Sequence, residues 1–148
     1  GHDISVYIEK EGVKKEVSYL RIQAFDVNTA FFLYNSLNAE KFSGGVSGNG
    51  ERKIFSFKEI KTAKSKFNYM ISEDEYFIDQ EINNFSHENS ERMLKALEDI
   101  FGERPIKVDN FSDLTPKDKK YIKNKLNFFF DEILMHINEG DEVEIFFG

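Results

Sequence analysis

Residues 53–71, KIFSFKEIKTAKSKFNYMI, carry the pattern on which the fold turns. Phe55, Phe57 and Glu59 alternate with Ile54, Ser56, Lys58 and Ile60, and Phe67, Tyr69 and Ile71 recur on a period of two. Successive side chains of a strand point to opposite faces. The spacing therefore predicts a strand over 53–61, a turn over 62–65 and a return strand over 67–71. Upstream, Ile4, Val6 and Ile8 alternate with Ser5, Tyr7 and Glu9, and a turn at Gly12 leads into a second such strand over 13–22. Between the two hairpins, Asp26 or Asn28 can cap a helix over 28–39. Ala30, Phe31, Phe32, Leu33, Tyr34 and Leu37 make that helix apolar nearly all round, which predicts deep burial.

Farther along, residues 73–85 fit either a short helix or an edge strand. Ser86 or Asn89 caps a helix ending at Phe101, with Met93, Leu94, Leu97 and Ile100 on its stripe, and a strand over 106–111 follows Pro105. Thr115-Pro116, a capping residue before a proline, opens the longest helix. Its core stripe is Ile122, Leu126, Phe129, Ile133 and Ile137, flanked by Tyr121, Phe128, Phe130, Leu134 and Met135, a width that predicts packing on a sheet. A last strand over 142–147 must pair within that sheet or remain an adhesive edge. The predicted class is α+β: an antiparallel or mixed sheet with helices mainly on one face, in a single domain over 1–148. From Tyr19 to Phe111 the order β-α-β-β-α-β is that of the ferredoxin-like fold, with a helix and a strand added at the C-terminal end. Gly1-His2 reads as the remnant of an expression tag, which sets His2 aside from any chemistry.

Composition bounds the function classes. The 148 residues hold 27 acidic and 20 basic side chains, no Cys and no Trp, but 16 Phe and 6 Tyr. Without Cys there is no disulfide framework, thiolate zinc site or cysteine nucleophile, and an intracellular, cytoplasmic setting fits best. No apolar run approaches the ~18 residues of a transmembrane helix. The formal charge divides as +3 over 1–72, −8 over 73–103 and −2 over 104–148. Overall acidity argues against binding to duplex DNA in general, which needs cations to replace counterions. Lys outnumbers Arg 16 to 4, a coding bias of AT-rich genomes such as those of many low-GC bacteria and their phages.

Several motifs bear on chemistry. Gly44, Gly45, Gly48 and Gly50 lie between a helix and a strand, the reverse of a phosphate-binding loop, and read as a flexible linker. His136 lies near the buried stripe with Glu132 one turn earlier, but two ligands are too few for a stable zinc site, and a satisfied histidine at a helix end is the simpler reading. His87 is the other histidine. Glu59-Ile60-Lys61 on a strand would match half of a metal-dependent nuclease site, yet no Asp occurs between Asp26 and Asp74 to complete it. Lys53, Phe55, Phe57, Lys58, Lys61, Lys64 and Lys66 mix aromatics with cations. The run Lys53-Ile54-Phe55-Ser56-Phe57 is weakly similar to the aromatic signature of RNA-recognition motifs, without that signature's glycines. The resemblance implies a ferredoxin-like RNA-binding module.

The acidic cluster Glu73, Asp74, Glu75, Asp79, Glu81, Glu88 and Glu91 points elsewhere. Carboxylates crowded together repel, so folding alone gives little reason to gather them, and docking on a basic partner does. No catalytic constellation emerges. The favoured expectation is a non-enzymatic, cofactor-free protein of phage or mobile-element type that binds a basic protein partner through an acidic, aromatic-rich surface. An inhibitor of a host defence nuclease, such as a CRISPR effector, is one instance. The RNA-binding module is the alternative, and a metal-dependent nuclease-like subunit stands third.

Overall fold

The computed structural model describes residues 1–72 and 115–148. The seven-carboxylate cluster, His87, the ambiguous segment 73–85, the helix expected up to Phe101 and the strand expected over 106–111 lie outside the described residues. Strands β1 (His2–Lys10) and β2 (Val13–Ile22) form the first hairpin. Both of its turn residues have positive φ, Glu11 at 54° and Gly12 at 78°, the geometry that matches strand twist in a two-residue hairpin. Helix α1 (Val27–Ser36) follows, its Asp26 carboxylate accepting from the Thr29 amide at 3.1 Å. After the glycine loop come β3 (Arg52–Ser56) and helix α2 (Phe57–Ser72), then α3 (Pro116–Leu134) and β4 (Glu142–Phe147).

The stretch 53–71 is thus strand for only its first four residues, and the expected second hairpin is corrected to a strand running into a helix. The cause is a cap. The Glu59 amide donates to Ser56 Oγ at 3.1 Å, and the Glu59 carboxylate accepts from the Ser56 amide at 3.0 Å. This reciprocal pair starts a helix at Phe57. Beyond it, Ile60, Ala63, Phe67, Met70 and Ile71 recur at helical spacing and are all buried. With Phe67, Tyr69 and Ile71 helical, the β-α-β-β part of the ferredoxin-like order is broken.

The fold is α+β. Among the described residues the sheet has four strands in the order β2-β1-β4-β3, and every neighbouring pair is antiparallel. The last strand therefore does pair, in the centre. Alternation along each strand gives one face Ile4, Val6, Ile8, Leu20, Ile22, Phe55, Val143, Ile145 and Phe147, all buried in one core with the three described helices. Aromatic rings tie the layers together. Phe147 stacks on Phe42 with centroids 5.0 Å apart and meets Tyr34 at 5.6 Å, while Phe67 reaches Phe130 at 6.2 Å. On α3, Ile122, Leu126, Phe129, Ile133 and the following Ile137 are buried, as is the flanking Phe130. Tyr121, Phe128 and Met135, expected on the flank of the core stripe, instead face outward.

His2 is the first residue of β1 and is only 1% exposed. Its Nδ1 lies 2.8 Å from the Tyr34 hydroxyl and its Nε2 lies 3.1 Å from the Gly45 carbonyl. A neutral ring satisfies both contacts, accepting from Tyr34 and donating to Gly45. Burial lowers its pKa, against the opposing pull of the Gly45 hydrogen bond, and burial also raises that of Tyr34. The unfolded imidazole titrates near ~6.5. Below that value the unfolded chain binds the extra proton more readily, so the stabilisation is complete above it and is lost as pH falls through the lower folded value. Thermal melts at about pH 7.5 and about pH 5.5 should show a larger loss for wild type than for His2→Gln, whose amide can keep both hydrogen bonds without titrating. Equal losses in both proteins would remove His2 from the pH response.

Candidate interaction site

The second face of the sheet carries two cross-strand rows. Tyr19, Ser5, Phe146 and Arg52 form one, running β2-β1-β4-β3, and Glu16, Tyr7, Glu144 and Ile54 form the next. None of these side chains belongs to the core cluster. Tyr19 is 51% and Ile54 57% exposed, far beyond what alternation leaves for core residues. The Arg52 guanidinium lies 4.8 Å from the Phe146 ring centroid and 5.9 Å from that of Tyr7. Glu144 binds two cations, Arg52 on the neighbouring β3 at 2.9 Å and Lys14 on β2, one strand beyond β1, at 3.1 Å. The hydrogen bonds from Lys14 and then Arg52 hold its carboxyl below the usual range. Tyr19 donates to the Asp3 carboxylate, a bond that raises the phenol's pKa. These contacts lock aromatic rings and charged heads into one ordered surface.

One end of this face opens into a groove of about 320 Å³. The register of β1 against β4 stops at Tyr7↔Glu144, and the next pair on this face would set Glu9 against Glu142. Like charges directly opposite each other on one face are destabilising, and here the two strands part. Ile8, Ile137 and Val143, all buried, line the groove, and Glu9, Lys10, Lys14, Asp141 and Glu142 stand at its exposed rim, Lys14 paired with the lining Glu144. The groove thus offers apolar surface inside a mainly acidic margin.

The lysine-aromatic set expected to bind RNA does not come together. Phe55 is 1% exposed and packs against Phe147 at 6.4 Å, so it offers no stacking surface. Phe57 is partly buried against the core, with Lys61 5.5 Å from its ring centroid, and Lys53 lies 4.8 Å from the Phe55 ring. Lys64 pairs with Asp131, and Lys66 donates to the Asn35 carbonyl at 3.0 Å and to Asn38 Oδ1 at 2.9 Å, fastening the end of α1. Only Lys58 and Lys61 of the set are exposed. The strand that was to carry a Glu59-Ile60-Lys61 metal site is a helix start, in which Glu59 is committed to the cap and Ile60 to the core. His136 Nδ1 lies 2.7 Å from the Glu132 carbonyl oxygen, the satisfied helix-end histidine. Among the described residues no three His, Asp or Glu side chains converge as metal ligands would, and none of the helices is long and apolar enough to cross a membrane.

The face that does gather aromatics was present in the sequence as Tyr7, Tyr19 and Phe146, each occupying an outward position of an alternating strand. Compared with protein-family models, with curated proteins and with solved structures, the chain matches none.

Proposed function

We propose that this is a non-catalytic cytoplasmic binding protein whose partner is another protein with a basic surface. The observation that carries the reading is the outer sheet face, where Tyr7, Tyr19, Ile54 and Phe146 stand clear of the core and lead into the acidic-rimmed groove. Protein interfaces favour aromatic residues and Arg at their centre and polar groups at the rim. The net charge of −7 favours a cationic partner and speeds its approach. Such charge suits a partner that otherwise holds nucleic acid, a phage-encountered defence nuclease such as a CRISPR effector included. An RNA ligand is disfavoured because Glu144 already engages both Arg52 and Lys14 on this face.

The test is affinity capture from host lysate, with proteins and RNA in the eluate identified separately. Replacing Tyr19 and Ile54 by Asp should leave the fold intact, because both are exposed, and should abolish capture of the specific protein. Recovery of RNA alone, resistant to high salt, would reverse the assignment.

A further inference from the structure

Tyr121, Phe128 and Met135 are 53%, 68% and 77% exposed, and each follows the last by seven residues along α3 and its C-terminal cap. A seven-residue step nearly completes two turns of helix, so the three lie in one line. That line runs opposite the side on which Ile122, Leu126, Phe129 and Ile133 enter the core. Isolated apolar residues on a surface mean little, but a seam at coiled-coil spacing is what a second helix covers.

Charge is also polarised along the length of α3. Beyond the capping Asp118, Lys117, Lys120, Lys123 and Lys125 make the N-terminal half basic, and Asp131 and Glu132 make the C-terminal half acidic. This opposes the helix macrodipole, which favours the reverse order. Lys125 donates to the Tyr121 hydroxyl at 2.9 Å, and neither Lys125 nor Glu132 forms an ion pair among the described residues. The polarity becomes favourable once a second α3 lies antiparallel across the first. With a two-fold axis at Phe128, Tyr121 faces the other copy's Met135 and Phe128 faces its own equivalent. A two-fold of this kind keeps each flank on its own side, so Lys125 meets Glu132 of the other copy, twice by symmetry. A two-fold contact must be complementary to itself, and this face is.

We infer that two copies of the chain associate through α3, antiparallel about Phe128. The helix is about 28 Å long at 1.5 Å per residue, so the contact is smaller than a standard interface and the dimer depends on concentration. The contact uses no residue of the sheet's outer face.

Sedimentation from ~10 to ~300 µM should show a monomer–dimer equilibrium. Phe128→Glu should raise the dissociation constant about tenfold or more, with unchanged circular dichroism. Lys125→Glu and Glu132→Lys should each weaken the dimer, and the double exchange should restore it, because each single change places like charges together. The chain has no Cys, so Phe128→Cys should oxidise to a cross-linked dimer, whereas Lys123→Cys, off the seam, should not. A monomer throughout the range would overturn the inference. So would a dimer indifferent to Phe128→Glu, or charge variants that fail to rescue one another.

Discussion

Phe129→Ala should lower the free energy of unfolding by about 3–5 kcal/mol, the cost of emptying a large aromatic site in a core that cannot fully close. Phe129 is 1% exposed and meets the Phe130 ring edge-on at 5.6 Å, where α3 faces the rest of the core. A loss of that size takes a large share of the ~5–15 kcal/mol that holds a domain folded. The comparison is its neighbour. Phe128 is 68% exposed, so Phe128→Ala should change stability by no more than about 0.5 kcal/mol when measured in dilute monomer. Urea denaturation of the two variants reads the difference directly. Equal midpoints would show that α3 is rotated from the register described.

Gly48→Ala is the second large effect, and its cause is backbone rather than core. A Cβ at Gly48 would stand 2.4 Å from the Phe147 carbonyl oxygen and 2.5 Å from its carbon. The glycine loop is tied to the end of β4 at this point, Gly48 donating to the Gly148 carbonyl at 2.8 Å and Gly50 to that of Phe147 at 2.7 Å. Neither segment can yield alone, because Phe147 is wedged among Phe42, Tyr34 and Phe55. Overpacking of this kind costs about 1–3 kcal/mol, and more where backbone must move. A Gly48→Ala protein with a wild-type denaturation midpoint would refute the close approach.

That loop shows where sequence reading stopped. Four glycines between a helix and a strand looked like a linker, and nothing local announces that the β4 backbone passes within contact distance of one of them. Elements whose signals are local were legible. The β1-β2 hairpin followed from alternation and Gly12, α1 from Asp26 and its apolar surround, α3 from Thr115-Pro116, and β4 from its alternating Val143, Ile145 and Phe147. The misreading of α2 arose because Phe67, Tyr69 and Ile71 satisfy a period of two while Ile60, Ala63, Phe67, Met70 and Ile71 satisfy 3.6. The Ser56-x-x-Glu59 capping box would have decided between them.

The binding face was harder to read. Which side of the alternating strands faces the helices is fixed by pairing, and the pairing of β4 between β1 and β3 joins distant parts of the chain. The outward aromatics Tyr7, Tyr19 and Phe146 therefore passed as ordinary strand residues, while the Lys53–Phe57 run drew attention because its aromatics were adjacent in sequence.

The position of β4 also governs when the protein can fold. Ile4 pairs with Phe147 and Tyr7 with Glu144, contacts between segments far apart in sequence. Among the described residues, β4 is the strand that joins β1-β2 to β3, and until it is made they are separate pieces. A ribosome that has synthesised everything up to α3 still holds a chain whose β1 and β3 edges are open and whose apolar sheet surface is incomplete. Closing so long a loop is slow, and during that interval the exposed edges are open to pairing with other chains. The centre of the described sheet is thus filled only after the whole stretch from β1 to α3 has been made, and the sheet closes on the arrival of six residues, Glu142–Phe147.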